Sequence, residues 1–558
     1  MNRKIIGLAA QTLYSVILNS PETDAAVVID NQIYVLSPSG KSSIILQVKA
    51  PSERPYFYAR LRKNTREIID RESFVRAPAT NPWTYNEFYN RTQTVQEMIR
   101  FDVLDEFTPQ FTRASDDKLH PLGEIATIHI TADQKLIDDV HDHYLDDYEV
   151  KVNMTHITAS AVRHFTECDF AVSGRTSRFF NKLPYKIKLP AEGYDLDGFR
   201  HLRLRTTEND PSYMRDYLTT EFLRAINQPG TRASYIRAIG LFTMIEKYDD
   251  TWLEREFNPD KDQTYANGIL YEGNGGKSEE NRADLSYKDL KDFEDSAYTI
   301  EEDPKDQNGT FVELMKFTAF IRDQAALEKT RNATLEASLI ANWEKQIDVE
   351  GFLANIALEF LLGSADGHVQ NTNNYYLYKD PTQNRFIYIA WDFDYNLCNG
   401  AYSMEALLEG DYRKFGWLSD LPLPAALLAI PKYRTMIESQ ISIMVTKLLN
   451  PTISFPVVDS VVNLIREDVA WDQTLPRVRK GPSFIGGGLR SFLEGKLDDN
   501  AIPPYSTNIF SAIDFIIRIN KYIDFDLAIE GNTGHRSVLG IKEFIRRKLA
   551  NYNAQLPS

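Results

Sequence analysis

The chain has 558 residues, too many for one compact core, so two to four domains are expected. Hydrophobic residues make up 43% and charged residues 25%, the profile of a folded chain rather than a disordered one. With 63 Lys plus Arg against 79 Asp plus Glu, the net charge of -16 argues against nucleic-acid binding, which needs clustered cations to displace phosphate counterions.

The amino terminus has a basic start, Met1-Asn-Arg-Lys4, and a short apolar run to Ala10. Gln11, Thr12 and Ser15 interrupt that run, so it reads as a poor signal peptide. No run of about eighteen apolar residues follows, so no integral membrane segment is expected. Residues 1–115 read as a β-rich module: Ala25–Asp30, Gln32–Leu36 and Ser43–Val48 are strand-like, with breaks at Asp30-Asn31 and Ser37-Pro-Ser-Gly40. That spacing predicts a β-sandwich-like unit. Residues 105–122, with Thr108-Pro109 and Ser115-Asp-Asp117, read as a linker.

Residues 120–257 mix strands and helices. Val140-His141-Asp-His143 lacks a third metal ligand and reads as solvated surface. Around Tyr185 the pattern alternates, with Tyr185, Ile187 and Leu189 on one face and Lys186 and Lys188 on the other. Phe199–Arg205 alternates in the same way. Asp210-Pro211 predicts a helix cap and a first-turn proline, with Met214, Leu218, Phe222 and Ala225 as the apolar stripe of a helix reaching Asn227. Tyr235–Glu246 predicts another strand. Residues 258–310 are acidic and rich in Asn, Gly and Lys, and are expected as a flexible insertion. Within it, Gly273-Asn-Gly-Gly-Lys-Ser278 has Tyr271 where a Walker A motif needs its first glycine.

Residues 311–558 read as helical. Phe352, Leu353, Ile356, Phe360 and Leu361 mark one buried helix face after Asp348. Further helices are expected at 424–449, at 456–470 and from about 537, with a glycine-rich loop at Gly486–Gly488. Cys168 and Cys398 allow one bridge at most, and no disulfide framework or zinc-knuckle spacing. Sequons at Asn90, Asn153, Asn308 and Asn332 matter only if the chain enters a eukaryotic secretory pathway. Neither Gly-x-Ser-x-Gly nor His-Glu-x-x-His occurs, so those hydrolase and protease classes lack support.

The chemistry concentrates between Ser364 and Asp394. Asn374–Tyr378 and Arg385–Trp391 are strand-like around a turn containing Asp380-Pro381, which predicts a hairpin. Antiparallel pairing then sets Asn371 to Asn374 beside Asp392, with Asp366 just upstream. An edge of carboxylates and amides suits Mg²⁺ or Mn²⁺ held jointly with substrate phosphates. Asp366 to Asn371 has the Asp-x-x-x-x-Asn spacing of a kinase catalytic loop, and Asp392-Phe-Asp394 stands where Asp-Phe-Gly would.

Asp366-Gly, Asn374-Tyr-Tyr-Leu-Tyr-Lys-Asp-Pro381 and Trp391-Asp-Phe-Asp394 together resemble the CotH family, the spore-coat protein H kinases and their fungal cell-surface relatives. Arg178–Lys188, Leu202-Arg-Leu-Arg205, Asp210–Leu218 and Ile269-Leu-Tyr271 resemble the family's earlier segments in the same order. The resemblance spans about residues 155–475 and implies an α+β, two-lobed atypical protein-kinase-like core, with the β module in front and a helical extension behind. It implies ATP as cofactor, Asp366 as the catalytic Asp, and Asp392 and Asp394 on metal with Asn374, or Asn371 as second choice. The phosphate-binding lysine would be Lys186 or Lys188, paired with Glu221, and Glu246 would fall at an adenine-reading hinge. The implied partner is a spore-coat, cell-wall or secreted protein carrying Ser or Thr, or a host-cell receptor for a non-catalytic adhesin, in either case at a cell surface, spore coat or outside the cell.

Overall fold

The computed structural model describes residues 10–109, 119–174, 176–190, 196, 198–258, 264–275, 281–328, 333–479, 508–519 and 521–556. Ser115-Asp-Asp117, Lys277-Ser278, the Asn332 sequon and Gly486–Gly488 lie outside them. The chain is a mixed α+β protein with amino-terminal sheets, a closed barrel and a helical carboxy-terminal region.

Eight strands come first: β1 (Gln11–Ile17), β2 (Thr23–Ile29), β3 (Gln32–Val35), β4 (Ser37–Ser39), β5 (Ser42–Pro51), β6 (Tyr56–Arg62), β7 (Ile68–Arg71) and β8 (Trp83–Phe88). They form two four-stranded sheets, β4-β5-β1-β8 and β3-β2-β6-β7. Tyr14, Val16, Val27, Ile29, Tyr56 and Tyr58 share one core between them. The expected β-rich character of the amino-terminal part is present as these two sheets.

A seven-stranded barrel follows, from β9 (Ala126–Thr131), β10 (Glu149–Ile157), β11 (Val162–Val172), β12 (Tyr185–Lys188), β13 (His201–Arg205), β14 (Ala233–Arg237) and β15 (Leu241–Glu246). Closure removes sheet edges and sends alternate side chains inward. Tyr185, Ile187, Leu202 and Leu204 are buried, while Lys186 and Lys188 stay exposed on the outer face. Lys186 pairs across from Arg203 and Lys188 from His201, so these four side chains share that outer face. His141 departs from expectation: it is buried and bonded to the Tyr185 hydroxyl at 2.9 Å, while His143 is exposed.

The third sheet, in the order β17-β16-β18-β19, contains β16 (Leu270–Gly273), β17 (Tyr298–Glu302), β18 (Tyr375–Asp380) and β19 (Arg385–Ala390). The hairpin is as anticipated. The 258–310 stretch is not simply a loose insertion, however, since it supplies β16 and β17, and β16 pairs directly with β18. Strands of four and five residues are too short to leave a periodic signal in such a polar context.

The Arg215–Ala225 helix begins after the Asp210-Pro211 turn rather than within it. Asp210 accepts from the Ser212 and Arg215 amides and pairs with the Arg215 guanidinium, so it organises a turn before the helix. This helix and Val349–Leu362 are buried on nearly every side, where sequence periodicity implied a single stripe. Pro431 divides the expected 424–449 helix into Pro422–Ala429 and Pro431–Met444. Among the described residues no single helix is long and apolar enough to cross a membrane.

The Pro451–Thr474 helix ties the parts together. Asp468 accepts from Arg91 at 2.9 Å and from Arg237 of β14, and Glu467 accepts from the Thr92 amide at 3.0 Å. Asp472 binds Lys182 at 2.8 Å and the Leu241 amide at 2.8 Å. Both cysteines are buried free thiols.

Candidate active site

Helix Val349–Leu362 ends at Gly363 in the left-handed region (φ 55°), and three residues later the chain presents Asp366. The next turn is fixed from beneath by Glu359, which accepts from the His368 and Val369 amides and from the Tyr388 hydroxyl at 2.8 Å. A Cβ on Gly367 would lie 2.6 Å from a Glu359 carboxylate oxygen, so only glycine permits this approach.

Both candidate asparagines converge on Asp366. Asn371 donates to its Oδ1 at 2.5 Å, and Asn374 to its Oδ2 at 2.9 Å and its carbonyl at 3.0 Å. Tyr402 adds its hydroxyl at 3.2 Å. Burial raises the Asp366 carboxyl to about 6, against the lowering effect of the Asn371 amide and with help from the Asp392 charge.

Asp392 arrives from the end of β19. The Trp391 amide bonds the Asn374 carbonyl at 3.0 Å, which brings the two stretches together as the hairpin register requires. Asn374 (φ 55°) and Asp392 (φ 58°) both lie in the left-handed region. Asn and Asp tolerate it best among non-glycine residues, at an energetic cost that functional sites often retain.

Arg205 of β13 meets these carboxylates. Its guanidinium binds Asp216 Oδ2 at 2.8 Å, Asp392 Oδ1 at 2.5 Å and Asp394 Oδ2 at 3.3 Å. Asn209 also binds Asp394 Oδ2, at 2.6 Å, and the Asp392 and Asp394 carboxyls are hydrogen-bonded to each other. Burial raises the Asp392 pKa, but Arg205 outweighs it and holds the carboxyl below the usual range. Asp394 is pushed well above it by burial and by the Asp392 charge. Arg203 lies over the Trp391 ring at 5.0 Å, so the outer face of β12 and β13 is the basic wall opposite the carboxylates.

The other anticipated residues divide. Lys186 stands on the basic wall beside Arg203, and Lys188 farther along it. Glu221 pairs with neither lysine: its carboxylate is forked by Arg100 at 2.6 and 2.8 Å and touched by Arg224 at 3.2 Å. Glu246 is enclosed by His120 at 3.1 Å and the Arg232 amide at 3.2 Å. It is paired in register with the inward Leu202 and so faces away from the basic wall. The buried lysine of this region is Lys182, committed to Asp472.

Sequence reasoning gave no site role to Arg205, Asn209, Asp216 or Tyr402. Arg205 and Asp216 lie within the Leu202–Arg205 and Asp210–Leu218 segments that carry the family resemblance, and the alternation of Phe199–Arg205 was the other signal. Gly275 also reaches the edge, donating its amide to Asn373 Oδ1 at 2.7 Å. A cavity of about 840 Å³ opens at the opposite end of the hairpin, by Lys379 and Arg385, away from this chemistry.

Among the described residues no three His, Cys, Asp or Glu side chains form a metal-binding group by themselves. The donor set nevertheless fits Mg²⁺ or Mn²⁺, which bind through one or two carboxylates plus substrate oxygens.

The family model described as CotH kinase protein matches residues 170–477, more than half of the chain. The chain belongs to the CotH kinase family. Its matched segment contains both the basic wall and the carboxylate edge. Invasin CotH2 of Rhizopus delemar is 25% identical over 437 residues, covering 74% of this chain and 69% of the relative. Invasin CotH3 of the same fungus is 23% identical over 479 residues, covering 83% and 75%. Its spore coat protein homolog 1 is 23% identical over 420 residues, covering 72% and 64%.

Proposed function

We propose that this CotH-family chain is an atypical protein kinase transferring the γ-phosphate of ATP to Ser or Thr of a spore-coat, cell-wall or secreted protein. The observation that carries this reading is the convergence of Asp366, Asn371, Asn374, Asp392 and Asp394 at one end of a hairpin, opposite Lys186, Arg203 and Arg205. The barrel then serves as the amino-terminal lobe and the helices with the third sheet as the carboxy-terminal lobe.

Asp366 orients the substrate hydroxyl and accepts its proton as the phosphorus–oxygen bond forms, and ADP leaves. A carboxyl at about 6 is ionised at neutral pH yet more basic than a solvated Asp, which suits a general base. Asn371, Asn374 and Tyr402 hold its rotamer. Asp392 and Asp394, with Asn374 or Asn371, would hold Mg²⁺ or Mn²⁺, whose role when bound is to neutralise phosphate charge. Lys186 and Arg203 offer the complementary charge from the barrel side, and transfer of this kind depends mainly on positioning and electrostatics.

Transfer of radioactive γ-phosphate to itself and to a Ser-rich basic protein tests the reading. Wild type incorporates label, and Asp366→Ala and Asp392→Ala reduce it at least a hundredfold. Equal incorporation by all three proteins refutes it. A second reading is a non-catalytic surface protein that binds a host receptor with the same scaffold. Two relatives named invasins and the arginine already seated on Asp392 and Asp394 favour that alternative. Its signature is host-cell binding unchanged by Asp366→Ala, together with no nucleotide binding by calorimetry.

A further inference from the structure

We propose that Arg518, in the stretch beyond the matched family segment, is a positioning residue for the candidate active site, holding Asp394 in place through Asn209 and Asn399. The inference rests on the phosphoryl-transfer reading above and names a residue that acts on that site from outside it.

The family match ends at residue 477, and helix Ile509–Arg518 follows it, with Arg518 as its last residue. The Arg518 side chain is buried. Its Nη1 donates to the Asn209 carbonyl at 2.9 Å, and its Nη2 donates to Asn399 Oδ1. Both asparagines pass that hold on to one residue. Asn209 Nδ2 donates to Asp394 Oδ2 at 2.6 Å, and Asn399 Nδ2 donates to the Asp394 carbonyl at 2.5 Å. Asp394 is thus gripped at its side chain and at its backbone by two residues that a single guanidinium sets. The fork matters, because Asn399 can serve Arg518 and Asp394 together in only one of its two amide orientations.

The rest of the stretch braces this arrangement. Arg518 Nε donates to Ser537 Oγ at 2.6 Å, and Asp514 accepts from the Ser537 hydroxyl at 2.7 Å and its amide at 2.9 Å. Val538 bridges Asn399 in antiparallel register, with the Gly400 amide donating to the Ser537 carbonyl at 2.9 Å. The segment after Asp394 is therefore lined by a short extended strip from the far end of the chain. This placement is costly. Every oxygen that Arg518 binds among the described residues is neutral, and burial together with the nearby Arg215 guanidinium pushes its pKa down to about 9. An apolar side chain would serve packing better there, since a buried cation without a paired carboxylate weighs against the fold. What the guanidinium supplies instead is the orientation of Asp394.

Single-turnover transfer and hydrogen–deuterium exchange of the full chain test the proposal on Arg518→Lys, on Asn399→Ala and on the two combined. Arg518→Lys keeps the charge and loses the fork. It is expected to slow transfer about tenfold and to speed amide exchange in residues 394–400, while the front sheets and the barrel strands keep theirs. Asn399→Ala leaves the cation in place and is expected to act in the same direction at the same residues. The combined variant should be no slower than Arg518→Lys alone, because both changes break one link, whereas independent damage would multiply. Should Arg518→Lys fail to fold, Asn399→Ala carries the comparison. Unchanged exchange at 394–400, faster exchange throughout the chain, or multiplied losses in the combined variant would each overturn the proposal. Absence of transfer by the wild type removes the kinase reading, and the exchange pattern then still decides the role of Arg518.

Discussion

Replacing Asp366 by Asn should make the protein more stable near neutral pH while abolishing transfer. Burial raises this carboxyl from 3.8 to about 6, so the folded form binds its proton more tightly than the unfolded chain does. Between those values the native state carries more protons, and stability falls as pH rises through the window. Above both, the ionised side chain burdens the fold by about 3 kcal/mol, since each tenfold gain in proton affinity is worth about 1.4 kcal/mol. The penalty amounts to about 1.6 kcal/mol at pH 5 and about 3 kcal/mol at pH 8. An asparagine is spared that growth, although weaker hydrogen bonds from Asn371 and Asn374 cost it about 1 kcal/mol at every pH. The stability advantage of Asp366→Asn should therefore widen by about 1.4 kcal/mol from pH 5 to pH 8. Urea unfolding of both proteins at four pH values, followed by tryptophan fluorescence, measures it. A difference that stays flat with pH, or narrows, refutes the claim that Asp366 is held against its own ionisation.

Arg215→Met should cost about 3–5 kcal/mol and sharply lower soluble yield, because it strands the buried Asp210 charge beside a fully enclosed site. Thermal unfolding and soluble expression check it. Lys186→Ala should weaken ATP analogue binding about tenfold while changing stability by less than about 0.5 kcal/mol, since the side chain is exposed. Calorimetry paired with thermal unfolding separates the two effects. Cys168 and Cys398, both buried and shifted upward to about 11 and about 12 by burial, should resist maleimide in the native protein and react at once in urea. Mass spectrometry before and after unfolding decides.

The hairpin was legible because its information is local. Two short aromatic and β-branched runs and an Asp-Pro turn mark the hairpin, and its register brings Asn374 to Asp392. Asp366 followed from lying just beyond a strongly apolar helix. The ion pairs were not legible, because nothing local encodes them: Arg205 reaches Asp392 across 187 residues and Lys182 reaches Asp472 across 290. Glu221 suggested a lysine partner because a buried carboxylate needs a cation, and that physical demand is met. The cation is Arg100, from a stretch where sequence marked no function. Likewise β16 left no periodic trace, since its four residues are held by neighbours on both sides rather than by their own pattern.

The Pro451–Thr474 helix grips Arg91 beyond the amino-terminal sheets, Arg237 on the barrel and Lys182 below it, all through buried carboxylates. Those three grips make the front module, the barrel and this helix one lever. Because Arg91 and Arg237 meet on the same Asp468 carboxylate, any shift of the barrel against this helix also loads the link to the front module.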